Sequence, residues 1–199
     1  MNNILKMKDY EINKIGLVKQ DKLHFINYNG KVSPKIQLPI VEIKDDYIIP
    51  SANNKYYKSD YDRYFIKMLI DNQEIIDFFT TFGDKIKSLV SKPNNQFYNI
   101  LTERDESYYF KMKLQVRDEC IETKLYIDDE YTDFDIDDLR HYLRKGAHIR
   151  LVIYPAKIWF MPANKQYGVQ FKVNAIKITQ EAPQIHEINN TPFVESDDD

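Results

Sequence analysis

Apolar residues recur at every second position through much of this chain and change to a helical step over only one long stretch. From 108 to 117 the alternation is cleanest. Tyr108, Phe110, Met112, Leu114 and Val116 fall on one face, and Tyr109, Lys111, Lys113, Gln115 and Arg117 on the other. A period of two predicts a half-buried strand. The stretch 22–28 reads the same way, and Asn29-Gly30 supplies the positive-φ pair of a tight hairpin turn. The returning strand over 35–43 places Ile36, Leu38 and Ile40 together, while Pro34 and Pro39 confine it to an edge or a broken strand. A turn-rich loop over 45–62 and a strand over 64–70 follow. Between 72 and 91, Ile75, Phe79, Phe82, Ile86 and Leu89 step by four, three, four and three. That is one apolar stripe of an amphipathic helix, ended by Lys92-Pro93, and its rings read as core.

In the second half, Asp118-Glu119 turns the chain, and Ile121, Thr123, Leu125 and Ile127 form the buried face of a return strand. Seven of the eleven residues from 128 to 138 are acidic. A short helix is expected over 135–145, acidic at its start and basic at its end as the helix dipole favours, with Gly146 as its C-cap. Ile149, Leu151 and Ile153 then point inward and His148, Arg150, Val152 and Tyr154 outward. Pro155 interrupts this strand at a bulge. One extra residue there resumes the outward face as Lys157, Trp159 and Met161 and turns Ile158 and Phe160 inward. A hairpin loop over 162–166 leads to a last strand over 167–179, with Val169, Phe171 and Val173 inside and Gln170, Lys172 and Asn174 outside. The first eight residues are expected to fray, and 181–199 to be a disordered acidic tail. About seven strands, mostly joined as hairpins, with one long and one short helix, make a mainly β domain over 1–180, a small barrel or a strongly bent sheet.

Composition narrows the classes of function. With 199 residues, 43% hydrophobic and 30% charged, the chain is of a globular type that can bury a core. Its 5 glycines form no phosphate-binding loop, so no nucleotide cofactor is expected. The single Cys120 forms no internal disulfide or cysteine zinc cluster and fits a reducing intracellular compartment. No apolar run reaches the ~18 residues that span a membrane. No membrane partner is therefore expected.

Charge changes the picture most. Residues 140–177 hold Arg140, Arg144, Lys145, Arg150, Lys157, Lys165, Lys172 and Lys177 and not one Asp or Glu, although the whole chain is acidic at a net −3. Tyr154, Trp159, Phe160, Tyr167 and Phe171 lie among these cations. Cations neutralise phosphates and flat rings stack bases, which is what a single-stranded nucleic acid requires. The candidate binding residues are Tyr109, Lys111, Lys113, Arg150, Tyr154, Lys157, Trp159, Lys165, Lys172 and Lys177. Outward lysines also serve solubility and edge protection, and Trp159 is core if the bulge parity fails. The acidic run could hold Mg²⁺ for a nuclease, but one contiguous loop suits a solvated turn better. His24, His141, His148 and His186 share no metal-ligand spacing. No catalytic grouping emerges, and neither a metal nor a cofactor is expected.

The motifs Tyr28-Asn-Gly30-Lys31, Ile36-Gln37-Leu38-Pro39, the Ile75–Phe79–Phe82 helix and 165–173, Lys-Gln-Tyr-Gly-Val-Gln-Phe-Lys-Val, resemble the single-stranded DNA-binding proteins of large nucleocytoplasmic DNA viruses. That group is similar to the podophage single-stranded DNA-binding proteins, which have an OB-fold barrel and an acidic C-terminal tail. Leu38 stands where the family has Thr, and six residues follow Phe193 where the phage proteins end on an aromatic residue. The resemblance implies an OB-fold-like antiparallel barrel and largely sequence-independent single-stranded DNA binding in viral replication, recombination or repair. It further implies action in the host cytoplasm, at viral replication sites. The tail, with Phe193, Glu195, Asp197, Asp198 and Asp199, would meet replication proteins or lie in the basic groove as a poor nucleic-acid mimic. A homodimer stays open. So does another class of function, a protein-interaction or virion structural module whose basic face meets an acidic partner.

Overall fold

In the computed structural model, which describes residues 4–20, 23–45, 64–90, 94–118 and 120–183, fifteen strands and two α-helices follow one another. The first are β1 (Ile4–Lys6), β2 (Ile15–Gln20), β3 (Leu23–Tyr28), β4 (Lys31–Val32), β5 (Lys35–Glu42) and β6 (Phe65–Ile70). Helix α1 (Gln73–Leu89) precedes β7 (Gln96–Phe97), β8 (Leu101–Arg104) and β9 (Ser107–Leu114). Then come β10 (Val116–Arg117), β11 (Cys120–Ile121), β12 (Lys124–Ile127) and β13 (Glu130–Thr132). Helix α2 (Ile136–Tyr142) leads into the two longest strands, β14 (His148–Met161) and β15 (Gln166–Gln180). The expected loop over 45–62 lies outside the described residues from 46 onward, and so do residues 184–199 of the expected tail.

The β14–β15 hairpin is the spine. Its antiparallel pairing runs from His148 opposite Gln180 to Met161 opposite Gln166. Other strands take turns along its two edges. On one edge β5 accompanies β14 from His148 to Ile153, and β3 meets it at Ile158. On the other edge β7, β9 and β12 all pair with β15 in parallel, at 166–167, 172–173 and 175–178. Thirteen strands thus form one mixed sheet, and β10 and β11 form a separate pair. The expectation of some seven hairpin-joined antiparallel strands is corrected in number and in direction. A mixed sheet takes the place of a clear closed barrel. The cause is that 124–127 does not fold back on β9, as its alternation suggested, but crosses over to β15 and leaves β9 to pair with β6 and β8.

Local chemistry explains the bends. Proline has no N–H for a ladder, so it belongs where pairing lapses. Pro155 faces Phe171 and Lys157 faces Gln170, which makes Ala156 the extra residue of a bulge, as the pattern required. Pro39 behaves alike: Arg150 faces Ile40 but Val152 faces Gln37, so β5 takes up one extra residue at Leu38-Pro39. That accommodation lets β5 sit between β1 and β14 rather than at an edge. From Ile4 onward the chain is not frayed either, because β1 pairs with β5 and Met7 is buried. Asn29 and Gly30 have φ of 52° and 74°, the turn expected between β3 and β4.

Helix α1 covers the sheet with Ile75, Ile76, Phe79, Phe82 and Ile86. Asn72 caps it, its side chain accepting from the Ile75 N–H at 3.1 Å. Phe171 is the hub of the core. Its ring lies 5.3 Å from Phe79, 5.4 Å from Phe82 and 5.4 Å from Phe110. Asp135 and Asp138 close a capping box on α2. This helix ends at Leu143, and Gly146 (φ 89°) is not its cap but part of the next turn, donating its N–H to Ile43 O at 2.8 Å.

Candidate nucleic-acid interface

The outward face of the hairpin carries two grooves. The first, of about 820 Å³, crosses β5, β14, β15 and β12 toward the open end of the hairpin. Lys35, Arg117, Lys124, Arg150 and Lys177 line it, with Glu122 and Asp129 at its margins. Cross-strand register brings them together: Arg150 faces Lys177, and Lys124 faces Ala175. Asp129 pairs with Lys177, and Glu122 pairs with Arg117 at 3.2 Å. Lys35, Lys124 and Arg150 have no carboxylate partner among the described residues. Burial, and next the repulsion of Lys124, hold the Lys35 ammonium below the usual lysine range. Three cations kept together without a counter-charge are costly until an anion arrives.

The second groove, of about 600 Å³, opens at the hairpin tip and is lined by Tyr98, Lys111, Lys113, Trp159, Phe160 and Gln170 among others. The bulge at Ala156 decides its character. With one residue added, Ile158 is buried at 1% exposure while Trp159 is half-exposed on the outward face. The indole lies across the backbone of Gly168 and beside Tyr98, with ring centroids 5.9 Å apart and planes inclined by 55°. A Cβ added to Gly168 would fall 2.6 Å from Trp159 Cζ2, so only glycine lets the ring lie there. Gly168→Ala is expected to dislodge the indole, lowering stability by about 1–3 kcal/mol as overpacking does. A red shift in the emission of this single tryptophan, read together with urea unfolding, checks it.

Between the grooves lies a connecting strip. Tyr154 faces Lys172 across the hairpin, and Lys172 faces Lys113 of β9. Burial, with Glu122 adding to it, raises the Tyr154 hydroxyl above its ordinary pKa, while Arg117 opposes the shift. Lys157 faces Gln170. Of the residues expected from sequence, Arg150 and Lys177 belong to the first groove, and Lys111, Lys113 and Trp159 to the second. Tyr154, Lys157 and Lys172 occupy the strip. Tyr109 stands apart on the β6 side under the Lys67 ammonium at 4.3 Å, and Lys165 is exposed at the tip. Lys111 is tied to its own ring, 3.7 Å over Phe65. Desolvation there, and then Lys113 and Lys67, lower its pKa. Phe193, Glu195, Asp197, Asp198 and Asp199 lie outside the described residues.

The pattern reading missed Lys35, Arg117 and Lys124 of the first groove and Tyr98 of the second. Lys35 alternates against Ile36, and Lys124 lies between the buried Thr123 and Leu125, so both were signalled. Tyr98 follows a two-residue strand that has no period. Among the described residues no group of three or more His, Cys, Asp or Glu could hold a metal, and no helix is long and apolar enough to cross a membrane.

No protein-family model and no curated protein matches this chain. Solved structures do. The crystal structure of gp2.5, a single-stranded DNA-binding protein encoded by bacteriophage T7, matches with a TM-score of 0.50 and 10% identity, over 78% of this chain and 97% of that one. The single-stranded DNA-binding protein of bacteriophage Enc34 in complex with single-stranded DNA matches with a TM-score of 0.49 and 10% identity, over 86% and 98%. At such identity the T7 likeness is one of fold: a mostly β domain with two helices, of the kind that this phage protein has.

Proposed function

We propose that this protein binds single-stranded DNA without catalysis, with little regard to sequence over most of its footprint, in replication, recombination or repair. The observation that carries the reading is the continuous outward face of the β14–β15 hairpin. At one end three cations lack a counter-charge among the described residues; at the other a tryptophan is held flat; a basic strip joins them. Phosphates suit the first end and bases the second. The fold shared with the T7 protein, itself a single-stranded DNA-binding protein, supports this. On this reading residues 1–180 are an OB-fold-like binding domain, and the chain belongs with the single-stranded DNA-binding proteins of large nucleocytoplasmic DNA viruses. It acts in the host cytoplasm at viral replication sites, as a monomer or homodimer, and residues 181–199 engage replication proteins.

Titration with oligo(dT), oligo(U) and duplex at two salt concentrations tests it. Oligo(dT) should bind best, and its log K should fall against log[salt] with a slope of about −2 or steeper, near −0.7 for each of Lys35, Lys124 and Arg150 and more as the lysines of the strip contribute. Absent or salt-independent binding overturns the reading in favour of an acidic protein partner for the same face. Asp129→Asn should tighten oligo(dT) binding by roughly threefold and steepen the slope by about 0.7, because Lys177 loses its internal counter-ion. The same titration measures both quantities.

A further inference from the structure

The groove at the hairpin tip differs from the first in chemistry. It has two cations, Lys111 and Lys113, and four carboxamides: Asn99, Asn164, Gln166 and Gln170. None of those four side chains has a hydrogen-bond partner among the described residues, and all are exposed or half-exposed around Trp159. Phosphate binding does not need such an array. A carboxamide offers a donor and an acceptor side by side, which matches the edge of a nucleobase, and adenine N6 and N7 most directly.

The backbone adds to this. β7 leaves β15 at Tyr167 and β9 joins it at Lys172, so no described strand pairs with residues 168–171 on that edge. Val169 and Phe171 line the groove where the pairing lapses. The groove is thus a gap in the sheet rather than a dent in its surface. It has an aromatic plate at one wall, amides at its rim and lysines at its mouth.

We infer that this groove takes one base splayed from the bound strand, stacks it against Trp159 and reads its edge through the free carboxamides, favouring adenine. The inference rests on the proposed single-strand binding and adds one position of base preference to a footprint that is otherwise tolerant. Unstacked bases are the usual objects of such readout, because their edges are open. The plate is pre-set: Gly168 and Tyr98 hold the indole before any ligand arrives.

The test uses the full chain, oligo(dT) as the reference ligand, and oligo(dT) carrying a single dA, dC or dG at successive positions. Binding is read by quenching of Trp159 emission and by anisotropy. A single dA should bind roughly 5- to 100-fold more tightly than dT at one position. The double variant Gln166→Leu and Gln170→Leu should abolish that preference, so that dA and dT bind alike at that position, and should leave the salt slope unchanged because no charge is removed. Equal affinity for all four bases at every position overturns the inference. So does a preference that survives both this variant and the same replacement of Asn99 and Asn164, since it would come from stacking alone. If oligo(dT) itself does not bind, the single-strand reading beneath it fails, which is a different result.

Discussion

Replacing Phe171 with alanine is expected to lower stability by about 3–5 kcal/mol, the cost of removing a buried aromatic ring whose cavity cannot close. The ring is 1% exposed and packs against Phe79, Phe82 and Phe110, which are themselves buried. Its removal therefore loses contacts both to helix α1 and to β9. In a domain of this size the midpoint of thermal unfolding should fall by on the order of 10 °C. Phe171→Leu, which keeps most of the volume, should cost less than about 1.5 kcal/mol. Chemical and thermal unfolding followed by circular dichroism measure both. A shift in Phe171→Ala of no more than about 2 °C would show that the ring is not the hub of the core. The effect also reaches the interface. Phe171 stands opposite Pro155 at the bulge and between Gln170 and Lys172, so the core side of one residue fixes the direction of its outward neighbours.

Neutralising Lys35, Lys124 and Arg150 together, as glutamines, should weaken oligo(dT) binding by on the order of 10- to 100-fold at low salt, from up to about 1 kcal/mol per lost contact. The diagnostic quantity is the salt slope. Three lost phosphate contacts should reduce its magnitude by about 2. These side chains line the first groove without carboxylate partners among the described residues, so their replacement removes mutual repulsion and stability should hold or rise slightly. A fall in affinity with an unchanged slope would place the strand's phosphates elsewhere. The triple variant is the right comparison for Asp129→Asn, because the two alter the same charge balance in opposite directions.

Much of the hairpin that bears these residues was legible from the sequence. Side chains in a strand alternate strictly, so one bulge residue is enough to reverse every later position. Pro155 marked that residue, and the half-exposed Trp159 beside the buried Ile158 follows from it. Pro39 carried the same signal and was read as an edge or a broken strand; the ladder is interrupted there rather than at an edge, and a proline shows that pairing lapses without showing which. The parallel partners of β15 were not legible. β7 has two residues, and β9 contributes only Lys113 and Leu114 to that pairing; segments this short have no period. Their placement depends on crossovers, which leave little local trace. The first groove was half legible for the same reason. Arg150 and Lys177 lie on the long strands, whereas alternation marked Lys35 and Lys124 only as facing outward and did not encode the tertiary arrangement that brings them to the groove.

The order in which strands meet β15 bears on how the protein is made. β7, β9 and β12 all emerge from a ribosome before the strand that joins them, and β5 before β14. Until residue 180 is free, the growing chain carries open strand edges, and Phe79, Phe82 and Phe110 have no Phe171 to close on. Such contacts, distant in sequence, form slowly, and unpaired edges invite association in the meantime. The sheet can therefore close only once β15, the last strand among the described residues, has been made.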